Sequence, residues 1–329
     1  MDKKMKTRKA GITVMNRKSE TEPDHFYINP LTDFGIKKLF CSDRRGAERL
    51  LSLLRAFLPD KMAGVTGITF LPTELLGETE NNKRVSFDIY AVTDDEKHVI
   101  VEMQRGQQTF FANRVITYNC RVISNKVERG DLEYNIPTVI SFSILDYSPT
   151  WFSGSDDFFH VVQLKDEENN IFSEKTFFCF LELSKFAAPN PGQLKDMEFP
   201  DDRHKWAFVL KNMGQMEEQD LSQEDEVFRG LFEDGRYTNL TAMEKKEYKK
   251  SVLEYADVQD AIRCAQENFL KLGIEEGRAE GRAEGREEAT NQLVRSLLDN
   301  GFDVPTIVKV TGLTGKEILA IRDGETLPE

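Results

Sequence analysis

Two acids and an amide stand on runs that are otherwise apolar. Val85-Ser86-Phe87-Asp88-Ile89-Tyr90-Ala91-Val92 and His98-Val99-Ile100-Val101-Glu102-Met103-Gln104 both read as β-strands, joined by the hairpin-sized turn Thr93-Asp94-Asp95-Glu96-Lys97. Strand alternation puts Val85, Phe87, Ile89 and Ala91 on one face and Asp88, Tyr90 and Val92 on the other. Along the second run Ile100, Glu102 and Gln104 share a face. Both runs are apolar enough to be buried on both sides, where an ionised carboxylate is costly without compensating positive charge. A hard divalent cation held by Asp88 and Glu102 would supply that charge, with Gln104 beside Glu102 to position a water. Phosphoryl chemistry suits such a site, because a metal activates water, offsets the phosphorane charge and orients the substrate. The same spacing also fits an ordinary hairpin whose acids point to solvent at a strand end.

The surrounding elements must bring these residues together. Residues 1–27 lack periodicity and read as a disordered basic arm. Order starts at Asn29-Pro30-Leu31-Thr32-Asp33-Phe34, a Thr/Asp helix cap, and a second helix carries Leu50, Leu51, Leu53, Leu54, Phe57 and Leu58 in helical rhythm. After the two strands, Phe111, Val115, Tyr118 and Val122 mark a long amphipathic helix stopped by Arg129-Gly130. Ile136 to Leu145 is apolar enough for an interior strand, so strand, crossover helix and strand form a βαβ unit with a parallel pair in a mixed sheet. Phe158 to Leu164 and Thr176 to Leu183 extend that sheet or form a hairpin on it. The fold class is therefore α/β, with a helical C-terminal region.

Beyond Ser184 the sequence is helical and increasingly acidic. Between Gly273 and Glu288 a four-residue Glu-Gly-Arg-Ala cadence aligns Gly273, Gly277, Gly281 and Gly285, each costing about 1 kcal/mol in a helix relative to Ala. The segment reads as a solvated linker helix or as a self-association helix whose glycines allow close approach. Val304 to Leu319 has the cadence of two short helices about a Thr-Gly-Leu turn, which fits a helix-turn-helix and equally a plain helical hairpin.

The formal net charge is −13, which argues against bulk coating of nucleic acid or anionic membrane. That charge is uneven: 22 Lys plus Arg against 17 Asp plus Glu leave +5 over residues 1–129, and 22 against 40 leave −18 over the rest. The basic arm supplies most of the excess. The four cysteines form no CxxC pair, so neither a zinc ribbon nor a disulfide framework is expected. No apolar run reaches the roughly 18 residues of a membrane span, and a cytoplasmic, soluble protein is expected. His25, His98, His160 and His204 have no ligand spacing, Glu74 and Glu78 read as solvated loop acids, and Trp151 and Trp206 read as core.

Thr32-Asp33-Phe34-Gly35-Ile36-Lys37-Lys38-Leu39-Phe40, Phe87-Asp88-Ile89-Tyr90, Val101-Glu102-Met103-Gln104, Arg114 with Tyr118, and Leu181-Glu182-Leu183-Ser184-Lys185-Phe186 together carry a resemblance. In order and spacing they resemble the recombination-promoting nuclease (Rpn)/transposase family, a bacterial branch of the PD-(D/E)XK phosphodiesterases, from about residue 26 to 215. The resemblance implies a restriction-endonuclease-like core, over residues 28–215; beyond it the sequence itself reads as an acidic helical segment over 216–290 and a small helical hairpin, helix-turn-helix-like, over 291–329. It also implies Mg²⁺-dependent cleavage of DNA in recombination or mobile elements, with Mn²⁺ as the alternative ion. Asp88 and Glu102 match the metal-binding acids, and Gln104 falls where the wider superfamily has Lys. An amide orients water but cannot stabilise hydroxide by charge, which leaves Lys37, Lys83 and Arg114 as candidates for that duty. Asp33 either adds a ligand or caps its helix, and Arg114 with Tyr118 form a phosphate-facing pair unless Tyr118 is core. The competing reading is a catalytically weak DNA-binding or assembly protein. The expected partners are DNA and, through the C-terminal helices, a second copy of the chain. No DDE constellation or recombinase nucleophile stands in the sequence to argue for strand transfer.

Overall fold

Thr32 opens the first helix because its hydroxyl can replace a missing helical acceptor. In the computed structural model, which describes residues 26–41, 43–75, 85–127, 135–186 and 192–323, Thr32 Oγ1 accepts the Gly35 N–H at 2.9 Å. Helix α1 (Asp33–Phe40) therefore takes Thr32 as its cap, and Asp33 lies in the first turn instead of capping it. Gly35 is required, since a Cβ there would lie 2.0 Å from the Asn29 carbonyl oxygen. Helix α2 (Arg44–Phe57) is capped by Asp43, which accepts the Gly46 N–H at 3.1 Å. Its leucines and Phe57 are buried, as their spacing predicts.

The strands follow as β1 (Ile68–Phe70), β2 (Glu74–Leu75), β3 (Val85–Ser86), β4 (Ile89–Thr93) and β5 (His98–Gln104). Helix α3 (Phe111–Ser124) then crosses to β6 (Val139–Leu145), and β7 (Phe159–Lys165) and β8 (Ile171–Glu182) complete the set. Six of them form one sheet in the order β1-β4-β5-β6-β8-β7, and β2 pairs with β3 apart from it. β5, β6 and β8 run parallel, while β4, β1 and β7 join antiparallel. The βαβ unit is present, and the Phe158–Leu164 and Thr176–Leu183 runs both extend the sheet and pair with each other.

The run from Val85 to Val92 is not one strand. The backbone bends at Asp88, so Phe87 packs with Tyr90 and Ile100 on the α3 side, whereas Ile89 and Ala91 face the opposite core. Simple alternation fails there because a bend resets the period. Helix α3 ends at Ser124, before Arg129-Gly130, which lies outside the described residues.

The chain divides into two units, Met1–Val258 and Gln259–Glu329. In the first, α1 and α2 pack with α4 (Asp202–Asn212) and α5 (Glu226–Asp234) in the principal core, which also takes in the β5, β6 and β8 side chains Val101, Phe142 and Leu181. Helix α3 covers the other face through Phe111, Val115 and Val122. Tyr27 belongs to the core at 1% exposure, its hydroxyl accepting the Gln219 N–H at 2.9 Å, so the fold reaches into the last residues assigned to the arm. Residues 1–25 lie outside the described residues. Trp206 is buried as expected; Trp151 is not, standing 45% exposed against Phe111.

Helix α6 (Ala242–Asp299) contains the whole glycine cadence as helix, with open space at all four glycine positions. In the second unit, Val294 packs with Ile307 of α7 (Val304–Thr311) and with Ile318 and Ile321 of α8 (Gly315–Asp323). Gly312 ends α7 at φ 74°, a left-handed conformation that glycine adopts without strain. Among the described residues no helix is long and apolar enough to cross a membrane.

Candidate active site

The bend at Asp88 creates the site. Pairing of β4 with β5 stops at Ile89 opposite Val101, which would leave the Met103 N–H without a ladder acceptor. Asp88 Oδ2 takes that bond at 2.7 Å, and the Asp88 N–H donates to Glu102 Oε1 at 3.3 Å. The two acids are thus locked together through each other's backbone.

Glu102 is buried and Asp88 partly buried, each in the field of the other's charge. Glu102 is 5% exposed, and burial, then the charge of Asp88, push its pKa up to about 8 against the opposing pull of Arg114. Burial likewise raises Asp88, with the Met103 N–H and the cations Lys37 and Arg114 working the other way and Asp33 adding to the rise. The site is short of positive charge.

Gln104 is buried, and its amide donates to the Met103 carbonyl at 2.9 Å and to Glu102 Oε2 at 3.4 Å. Arg114, from the second turn of α3, brings a guanidinium nitrogen to 3.6 Å from Glu102 Oε2 and donates another to Gln108 Oε1 at 2.7 Å. Its Nε and one terminal nitrogen are buried with no hydrogen-bond partner. The guanidinium lies over the Phe111 and Tyr118 rings at 5.1 and 5.8 Å. Tyr118 is half-buried edge-on to Phe87, and burial followed by the Glu102 charge raises its phenol. It is both core and site wall.

Asp33 and Lys37 form an exposed i,i+4 pair at 2.9 Å at the start of α1, and their charges reach Asp88 without joining its hydrogen bonds. Lys83 lies outside the described residues. The structure therefore gathers Asp88, Glu102, Gln104, Arg114 and Tyr118 and keeps Asp33 and Lys37 at its margin.

A family model described as PD-(D/E)XK nuclease family transposase matches residues 30–265. The chain belongs to the PD-(D/E)XK nuclease family. No curated protein and no solved structure matches it. The mixed sheet flanked by helices is the restriction-endonuclease-like core of this family, with Asp88 at the bend before β4 and Glu102 and Gln104 at the C-terminal end of β5.

PD-(D/E)XK nucleases generally use a divalent metal, and the donor set can be tested for that ion. Among the described residues no three His, Cys, Asp or Glu side chains converge as metal ligands. Asp88 and Glu102 stand side by side, each with one oxygen fixed by a backbone N–H, and the second Glu102 oxygen faces the Gln104 amide and Arg114. A hard octahedral ion such as Mg²⁺ is commonly held by one or two carboxylates, with water and phosphate oxygens completing its shell. The residues fit that ion.

Three polar side chains on the same sheet face have no site role in the sequence pattern: Ser143, Glu182 and His160. Ser143 lies beside Glu102 in register, with its hydroxyl buried and unpartnered. Glu182 closes the row Gln104, Leu145, Glu182 at the C-terminal end of the parallel strands. It is wholly buried, with His160 Nε2 at 3.0 Å and Lys185 Nζ at 3.2 Å. Lys185 also donates to the carbonyls of Phe152 and Ser155, fastening that loop. The Glu182-x-x-Lys185 spacing was visible; His160 was not, because its partner comes from a different strand.

Proposed function

We propose that this chain is a divalent-metal-dependent DNA endonuclease that hydrolyses phosphodiester bonds in recombination or mobile-element DNA. The observation that carries the reading is the locked Asp88–Glu102 pair, Glu102 buried and Asp88 partly so, whose carboxylates are both pushed up by burial and by the other acids around them. Asp88 and Glu102 would hold Mg²⁺, or Mn²⁺ in its place. When bound, the ion lowers the pKa of a coordinated water and offsets charge on the scissile phosphate. Gln104 orients the attacking water through its amide, and Arg114, partly exposed beside Glu102, takes a phosphate oxygen. The test is nicking of supercoiled plasmid with and without Mg²⁺. Wild type should nick only with the ion, and Asp88→Asn and Glu102→Gln should not nick; equal nicking by all three proteins would sink the assignment.

Gln104 supports a second reading, a catalytically weak DNA-binding or assembly protein of a mobile element. Its amide is engaged by Met103 and Glu102, and no lysine stands in its place. That reading requires DNA binding indifferent to Mg²⁺ and no cleavage at any metal concentration.

A further inference from the structure

Along the outer side of α3, starting at Arg114, runs a cleft of about 470 Å³. Phe110, Asn113, Arg114, Thr117, Tyr118 and Arg121 line it, recurring every three or four residues as one stripe of the helix. No Asp or Glu is among its described lining residues, whereas the clefts beside α2, β4 and α6 each include acids. On a chain of net charge −13 a cleft whose described lining holds two arginines and no acid is a local reversal of sign. Arg114 and Arg121 are seven residues apart, about 10 Å along the axis, so they meet different phosphates of one strand. Thr117 between them and Asn113 just before Arg114 are exposed. At the mouth, Phe110 stands 73% exposed at the start of α3 and makes no side-chain cap.

We propose that this cleft is the track for a single, unpaired nucleic-acid strand, with Arg114 and Arg121 on its phosphates and Phe110 stacked on one base. The volume is that of a small-ligand site, not of a duplex-wide saddle. A ring stacks only on a base whose own face is open, which selects unpaired over paired DNA. The inference rests on the nuclease reading for its purpose, since Arg114 joins the cleft to Glu102. It names the substrate of that site as unpaired or distorted DNA.

The test measures binding by fluorescence anisotropy in EDTA, using the full chain, a labelled single-stranded oligonucleotide and the blunt duplex of the same sequence. The single strand should bind about ten-fold tighter than the duplex. Phe110→Ala should weaken single-strand binding about ten-fold and Phe110→Tyr should restore it. Arg121→Gln should weaken both substrates and reduce the salt slope by about one. Duplex preference, or single-strand affinity unmoved by Phe110→Ala, overturns the cleft and leaves the endonuclease reading standing. The expected pattern in a wild-type protein that never nicks plasmid supports the cleft and defeats the endonuclease reading.

Discussion

Asp88 and Glu102 hold each other through main-chain bonds: the Asp88 N–H donates to Glu102 Oε1, and the strand carrying Glu102 returns the Met103 N–H to Asp88 Oδ2. Charge and position at Asp88 are therefore separable. Asp88→Asn keeps an oxygen for Met103 and should leave the fold intact while cutting Mg²⁺-dependent nicking by at least about 100-fold. Asp88→Ala also strands a backbone donor, so urea denaturation should find it less stable than Asp88→Asn by roughly 1–2 kcal/mol. Equal stability of the two variants would show that the Met103 bond does not hold the bend.

Glu102 gives the metal-free protein a pH signature. Its folded pKa of about 8 lies above its ordinary value of 4.5, so between these values the folded state binds more protons than the unfolded state and stability falls as pH rises. His98, buried against Tyr90, acts in the opposite sense: its pKa falls from 6.5 to about 4, so its contribution is lost as pH drops through that window. Above pH 6.5 His98 no longer contributes, and the raised pair Glu102 and Asp88 acts in one direction. Urea denaturation in EDTA should therefore show stability declining from pH 6.5 to 8, by at most about 1.4 kcal/mol per pH unit. Glu102→Gln should remove most of the decline.

Much of this arrangement is readable before folding, and the exceptions have physical causes. The α3 stripe, the parallel β5–β6 pair and the shared face of Glu102 and Gln104 all follow from regular periods in uninterrupted apolar runs. Phe87 does not, because the bend at Asp88 turns its side chain to the opposite face from Ile89. Tyr27 looked like the end of an arm because the groups that bury it, Gln219 and Phe232, come from nearly two hundred residues later. The contact of Arg114 with Glu102 depends on how α3 packs over β5, which no local spacing encodes.

Gln104 should limit the rate of the proposed reaction. Its neutral amide can align a water but adds no charge beside two acids that lack it. Gln104→Lys would place an ammonium next to Glu102, lowering that carboxyl's pKa and stabilising the developing hydroxide. Single-turnover plasmid nicking should rise at least about ten-fold in Gln104→Lys and fall in Gln104→Ala. A lysine variant slower than wild type would mean that the amide geometry, not charge, is what the site uses.

The last prediction concerns what holds the helical layer behind the sheet. Arg49 on α2 is 1% exposed, donates to the Leu39 carbonyl at 2.9 Å and pairs with Asp234 at the end of α5. One guanidinium thus ties α1, α2 and α5 together. Removing it leaves the Leu39 carbonyl without its donor, while Asp234 keeps a second arginine, Arg45, at 2.7 Å. Arg49→Met should therefore cost less than the orphaning of a buried charge, about 1–3 kcal/mol by urea denaturation. Arg45→Met combined with Arg49→Met should cost more than the sum of the two single changes, because only then does Asp234 lose both cations. If the two losses simply add, the stabilisation resides in the Leu39 bond and the packing of the arginine stem, not in the ion pairs.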